Sequence, residues 1–115
     1  MQNQKLKLVL CCCLLVISTT CRATDKEYSS QHTQVMKYFK SGKEPKVKDA
    51  IWTSDHIFKV GVLDDGSRRD GYADYVCQVL YDYGLSGKGV WVQVIDISKL
   101  SRAGKWVKLG EAHCK

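Results

Sequence analysis

The stretch from Val90 to Ile97, VWVQVIDI, constrains the fold of this chain more than any other. Its β-branched and aromatic residues predict a strand with two apolar faces, since Val92 and Val94 point one way and Trp91 and Ile95 the other. A strand that is apolar on both faces belongs in the middle of a sheet whose two sides are covered. We therefore expect a sheet with this strand at its centre.

A second strand and a helix precede this central strand. Ile57–Leu63 is apolar apart from Lys59, which predicts a strand. The helix is indicated by apolar and aromatic residues at helical spacing: Tyr72, Tyr75, Val76, Val79, Leu80 and Tyr83. Strand, helix and strand in this order form a βαβ unit, in which the two strands are parallel and the crossover is right-handed.

The ends of the helix and a third strand are also marked in the sequence. Ser67 and Asp70 match a capping box with Asp in place of Glu, and Gly84 is suited to a left-handed helix end. After the turn RAGK at 102–105, Trp106–Leu109 predicts a third strand, antiparallel and at an edge. The predicted fold class is a small single domain, α/β or α+β, of order (α)βαββ.

The N-terminal sequence predicts export. Lys5 and Lys7 precede the unbroken apolar run Leu8–Ile17, and small residues follow that run. A basic start, a short apolar core and a small-residue exit are typical of a secretory signal peptide. The run has about half the length that a bilayer-spanning helix needs. Residues 1–23 are therefore predicted to be a signal peptide, and the protein to be periplasmic or extracellular.

Two processing routes are open for this segment. Cleavage after Ala23 would use Cys21 and Ala23 as the small residues of the cleavage site. Alternatively, Cys21 resembles the lipid-modified cysteine of bacterial lipoproteins, with Ser18 and Thr20 where that pattern usually has Leu and a smaller residue. The first route predicts a free protein, and the second a protein tethered to a membrane through Cys21.

The remaining chain is expected to divide into a linker and a domain. Residues 24–49 are polar and lysine-rich, and predict a solvated linker with one short amphipathic helix that ends before Gly42 and Pro45. The folded domain is expected over residues 50–115. Once the three basic residues of 1–23 are removed, fifteen basic and twelve acidic residues remain, a net charge of +3. Such a small excess does not indicate nucleic acid binding.

The cysteines predict one disulfide. Of the six cysteines, four lie in or at the predicted signal peptide, which leaves Cys77 and Cys114 in the domain. Two cysteines in an exported domain most often pair. A reactive thiol would need a base beside it, and a zinc site would need about four ligands. We therefore expect a Cys77–Cys114 disulfide.

Charged residues collect at the carboxyl ends of the two predicted parallel strands, where open sheets tend to bind ligands. The carboxylates are suited to a divalent cation, and arginines at a helix start are suited to an anion. A tight Asp-Gly turn with surface ion pairs would account for the same residues without any ligand. The candidate ligand-binding residues are Asp64, Asp65, Arg68, Arg69, Asp96 and Arg102.

Asp96 interrupts an apolar strand, so its carboxylate needs a partner or a raised pKa if it is buried. We expect it instead to reach solvent or Arg102 at the strand end. Neither G-x-x-x-x-G-K-[ST] nor G-x-G-x-x-G occurs, and the acids lack the spacing of a calcium loop. His32, His56 and His113 lie far apart in the sequence. No cofactor and no metal are predicted.

A non-enzymatic function is favoured, because the domain is small and carries no catalytic motif. Its tyrosines, with Trp91 and Trp106, exceed what a small core needs, and an exposed remainder would suit a protein interface. We expect an exported interaction or binding domain of the cell envelope, such as an inhibitor or immunity-type protein, with another protein as its partner. The alternative is a small-ligand or metal-binding domain, or less favourably a hydrolase, that uses the strand-end residues.

Overall fold

The computed structural model describes residues 28–115. The predicted signal peptide at 1–23, the modification at Cys21 and the start of the predicted linker lie outside the described residues. Within the described part, no helix combines the length and the apolar character needed to cross a membrane.

The described chain is an α+β domain, as predicted, built around one four-stranded sheet. Its elements are α1 (Ser30–Lys40), β1 (Val47–Ser54), β2 (Ile57–Val62), α2 (Asp70–Asp82), β3 (Trp91–Asp96), α3 (Ile97–Ala103) and β4 (Lys108–His113). The strands lie in the order β1-β2-β3-β4. β2 and β3 are parallel, and the two outer pairs are antiparallel.

The predicted βαβ unit is present. β2 and β3 pair in parallel, so that Val62 lies beside Asp96 at their carboxyl ends. α2 connects the two strands, and Gly84 follows it in the left-handed region with φ of 84°, as predicted. The predicted capping box is wrong, because Arg69 is the N-cap residue of α2 and Ser67 makes its hydrogen bonds inside the preceding loop.

The last strand lies further along the chain than predicted. β4 covers Lys108–His113 instead of Trp106–Leu109, and its buried residues are Gly110 and Ala112. Gly110 has no room for a side chain, because the backbone at the start of α2 lies directly over it. Small residues do not form the apolar run by which a buried strand is recognised, which explains the misplacement.

Part of the segment expected to be a linker belongs to the core. α1 buries Val35 and Phe39, whereas its lysines face solvent. β1 has no counterpart in the sequence prediction, because two irregularities in its pairing break the alternation of its buried residues Val47, Ala50 and Trp52. Ala50, where the domain was expected to begin, lies inside this strand.

One face of the sheet forms the core with α1 and α2. Phe39, Phe58, Val60 and Leu80 are fully buried there, and each large apolar side chain stabilises the fold by about 1.5–3 kcal/mol. The expectation that both sides of the central strand are covered is wrong, because Trp91 on the other side of β3 is 39% exposed. The second face of the sheet is thus open over part of its area.

The predicted disulfide is confirmed. Cys77 in α2 and Cys114 just after β4 are bonded, with their Cα atoms 5.4 Å apart and 37 residues between them in sequence. The bond joins the core helix to the edge of the sheet. A disulfide is in keeping with an oxidising environment.

Candidate functional site

The loop between β2 and α2 holds four of the six predicted ligand-binding residues, and its acids bond within the loop. The Asp64 carboxylate accepts a hydrogen bond of 2.9 Å from the amide of Gly66. The Asp65 carboxylate accepts from both the amide and the hydroxyl of Ser67, at 2.9 and 2.5 Å. These bonds from Ser67 lower the pKa of Asp65. Both carboxylates therefore shape the turn.

Arg69 ties this loop to the last strand. Its guanidinium is buried, donates to the carbonyl of Leu63 at 2.9 Å, and lies 3.4 Å from the carboxylate of Asp65. Its backbone amide donates to the carbonyl of Leu109 in β4 at 3.1 Å. The Nε atom has no hydrogen-bond partner among the described residues. Arg69 therefore fixes the loop against the body of the domain.

Asp70 completes this attachment. One carboxylate oxygen accepts the amide of Glu111 at 2.9 Å, and the other accepts from the guanidinium of Arg68. The bond from Arg68, then the bond from Glu111, lowers the pKa of Asp70. Asp70 and Arg69 thus bond to the amide of Glu111 and the carbonyl of Leu109 on the free edge of β4. These bonds protect that edge from pairing with a strand of another chain. The loop thus clamps α2 to β4.

The second group of predicted site residues lies at the end of β3. The expectation that Asp96 reaches solvent or Arg102 is wrong, because Asp96 is only 3% exposed and caps α3, accepting the amide of Lys99 at 3.1 Å. Arg102 is exposed on the last turn of α3, and residues 28–115 provide no ion pair between it and Asp96. The helix cap explains how a carboxylate is accommodated in an apolar strand.

The loop that carries four of the predicted residues follows β2 at the edge of the sheet where Asp96 ends β3, as expected, but none of the six residues lines either cavity described below. Ligand binding by this group stays a prediction. Among residues 28–115, no three His, Cys, Asp or Glu side chains are arranged to hold a metal ion.

A cluster of tyrosines around Glu44 lies on the helical side of the domain. The Glu44 carboxylate accepts hydrogen bonds from the hydroxyls of Tyr38, Tyr75 and Tyr72, at 2.9, 2.5 and 3.4 Å. These contacts fasten the loop between α1 and β1 to α2. The bond to Glu44 raises the pKa of Tyr75 to about 12, and desolvation followed by the charge of Glu44 raises the pKa of Tyr72.

We expect Glu44→Gln to lower the pKa of Tyr75 toward 10, the ordinary value for a phenol. Because the folded-state pKa is raised, these bonds stabilise the fold fully below pH 10 and are lost as the pH rises from there through about 12. Alkaline titration of phenolate absorbance in the two proteins measures the difference. Asp74→Asn, an exposed carboxylate on the same helix, should leave the titration unchanged. Ordinary titration of every tyrosine in the unmodified protein would contradict this arrangement.

Large side chains remain exposed on the face of the sheet opposite the core, here called the open face. Cross-strand pairing places Ile51 beside Lys59, and Lys59 beside Gln93. Trp91 pairs with His113 in β4, and their rings stack with centroids 4.2 Å apart. The residues that define the open face are Ile51, Ile57, Lys59, Gly61, Trp91, Gln93, Ile95 and Trp106.

Trp106 is the most prominent residue of the open face. It lies in the segment before β4 and is 52% exposed, while Ile51 is 47% exposed. The ammonium of Lys59 lies 4.5 Å from the centroid of the Trp106 ring, a cation–π contact. In the sequence, Trp106 is marked only as the first residue of a predicted strand and as part of a general aromatic excess. The sequence feature that could have indicated the open face is Lys59, the single polar residue in the apolar strand Ile57–Leu63.

A groove of about 800 Å³ runs from α1 over β1 onto the open face. Its apolar lining includes Met36, Trp52, Ile95, Ile97, Leu100 and Trp106. Its charged lining consists of Lys37, Lys40, Lys59 and Asp49. This groove could not be predicted from the sequence, because its two sides come from segments that are distant in the sequence.

A second cavity, of about 540 Å³, lies beside the start of α1 and has Ser29, His32, Asp55 and Lys88 among its lining residues. The Nε2 atom of His32 bonds to the backbone carbonyl of Asp55 at 2.8 Å, and a carbonyl only accepts, so Nε2 carries the hydrogen. In the neutral ring, Nδ1 then accepts from the Ser29 hydroxyl at 2.5 Å. His32 thereby anchors the first turn of α1.

The chain falls into the class of small disulfide-bonded α+β domains with a sheet left partly open on one face. Comparison with known proteins finds no matching family model, no matching curated protein and no matching solved structure. Its function is therefore inferred from its own residues.

Proposed function

We propose that this chain is an exported, non-catalytic binding domain of the cell envelope that recognises another protein through its open face. The observation that carries the proposal is the exposure of Trp106, Ile51 and Trp91 on one side of the sheet, at 52, 47 and 39%. Tryptophan is enriched among the residues that dominate protein interfaces.

The open face has the character of a recognition surface. Burying a whole tryptophan removes about 150–250 Å² from water, and 52% of Trp106 and 39% of Trp91 is exposed and could be covered by a partner. The contact of Lys59 with Trp106 and the stack of His113 on Trp91 hold both rings in place before binding. Rings that are already ordered lose less conformational entropy when a partner binds.

Features outside the open face support the proposed export and the proposed lack of catalytic activity. The predicted signal peptide and the disulfide both suit an oxidising compartment. The acids that would be the first candidates for catalysis are engaged in the fold, since Asp65 shapes a turn, Asp70 holds β4 and Asp96 caps a helix. A lipid anchor at Cys21 would keep the domain at a membrane, and cleavage after Ala23 would release it.

Photo-crosslinking in an exporting host tests this proposal. A photoreactive amino acid at position 106 should give a discrete crosslinked product, because the partner covers Trp106. The matched control is position 78, where Gln78 is exposed on the helical side of the domain. A product of the same size and yield from position 78, or a product from position 78 alone, would contradict the open face as the binding surface.

A further inference from the structure

We propose that the groove between α1 and the open face binds one anionic amphiphile, a free hydrocarbon chain that ends in a carboxylate. This inference goes beyond the proposed protein partner and does not depend on it. It rests on the size of the groove, the chemistry of its floor, the unbalanced charge of its lining and the state of the neighbouring strand edge.

The groove has the size and lining of a site for a small molecule. Its volume is about 800 Å³, within the range of about 300–1,000 Å³ that is usual for ligand sites. Ile95, Ile97, Leu100 and Trp106 give it a mainly apolar lining, as such sites have. The floor is closely packed, since a side chain at Gly61 would come within 2.8 Å of Ile97. A hydrocarbon chain gains free energy by moving from water into such a lining, because its apolar surface is removed from water.

The charged residues of the groove are complementary to one anion. Lys40 pairs with Asp49 at 3.7 Å, so these two charges offset each other. Lys37 and Lys59 have no carboxylate partner among residues 28–115, which leaves two positive charges in the lining. The ammonium of Lys59 lies against the ring of Trp106, where a bound carboxylate would gain a charge-assisted hydrogen bond beside an apolar surface.

The edge strand beside the groove disfavours an extended peptide as the occupant. A peptide that adds to a sheet needs free backbone groups along a regular edge. β1 has two irregularities in its pairing, and the amide of Ala50 already donates to the carboxylate of Asp49 at 2.9 Å. An amphiphile needs no backbone partners, so these features do not oppose its binding.

Fluorescence quenching by 9,10-dibromostearate, below its micelle concentration, tests the inference on the protein purified after export. We expect saturable quenching with one molecule bound per chain, because the bromines would come into contact with Trp106. Trp106→Phe should remove most of the quenching, since Trp52, which also lines the groove, is only 7% exposed and Trp91 lies outside the groove lining. Failure to saturate, or full quenching in the Trp106→Phe variant, would overturn the proposal.

The charge of the groove is tested by a pair of lysine variants. Lys59→Glu should weaken binding by about tenfold or more, because it replaces an attraction by a repulsion. Lys88→Glu changes an exposed lysine outside this groove and should leave the affinity within about twofold. Equal effects of the two variants would overturn the proposal. Binding of dodecyltrimethylammonium as tight as that of the fatty acid would also overturn the proposal. Binding to phosphatidylglycerol vesicles without binding of the free fatty acid would overturn it as well. Loss of the crosslink from position 106 would instead count against the proposed protein partner, and not against the amphiphile site.

Discussion

Gly110→Ala is expected to destabilise the domain by about 3 kcal/mol or more. A Cβ atom at this position would lie 2.2 Å from the carbonyl carbon of Arg69 and 2.5 Å from the amide nitrogen of Asp70. These are backbone atoms, so no side chain can rotate to relieve the clash. The start of α2 would have to move away from β4, and the hydrogen bonds between Arg69 and Leu109 and between Asp70 and Glu111 would be broken.

Urea denaturation followed by circular dichroism measures this loss. The matched control is Gly71→Ala, at the residue directly after Asp70 in α2, where a Cβ atom would meet nothing within 4 Å. Gly71 lies in α2, so alanine there should stabilise the protein by about 0.5–1 kcal/mol. Equal stability of the Gly110→Ala variant and the unmodified protein would show that the loop does not clamp α2 to β4.

Removal of the Cys77–Cys114 disulfide is expected to cost about 4 kcal/mol, because the bond restricts a long loop of the unfolded chain. The two residues are 37 positions apart, and both are buried between α2 and the end of β4. The Cys77→Ala/Cys114→Ala double variant avoids leaving one unpaired thiol in the core. The free energy of unfolding of this variant should equal the value that the unmodified protein has under reducing conditions.

The double variant also serves as the control for the reductant itself. Dithiothreitol should lower the urea midpoint of the unmodified protein and leave that of the variant unchanged. If the unmodified protein were equally stable with and without reductant, the disulfide would have no part in the stability of the fold.

The parts of the fold that depend on local pattern could be predicted from the sequence. The apolar run at 90–97 and the helical spacing at 72–83 identified β3 and α2, and the two cysteines identified their bond. For β3 and α2 the signal lies in the side chains of the element itself, and the bond followed because two cysteines remain in the domain. The central pair of parallel strands followed from connectivity rules alone.

Apart from the disulfide and the parallel strand pair, the parts that depend on contacts between distant segments could not be predicted. Gly110 is required by the backbone of Arg69, and Glu44 is positioned by hydroxyls from two helices. Nothing in the residues adjacent to Gly110 or Glu44 indicates these neighbours. β1 escaped prediction for a related reason, since the irregularities in its pairing interrupt the alternation that marks a strand.

The candidate site also combines features that could be predicted from the sequence with features that could not. The sequence correctly placed acids and arginines at one edge of the sheet, because strand order and direction determine that edge. It could not show that Asp96 caps a helix and that Asp70 bonds to Glu111, since both depend on exact backbone positions. Nor could it show which aromatic residues stay exposed, since the 52% exposure of Trp106 depends on how the elements of residues 28–115 pack around it.

Calorimetric titration with the protein captured by the crosslink at position 106 tests the central claim most directly. Trp106→Ala should weaken binding by about tenfold or more, as expected for an aromatic residue central to an interface. Asp65→Ala, in the loop between β2 and α2, should leave the affinity within about twofold, because among residues 28–115 its carboxylate bonds to Ser67 and Arg69 of the same loop. The reverse outcome, with affinity lost in Asp65→Ala and retained in Trp106→Ala, would contradict the open face and return the binding site to the strand ends.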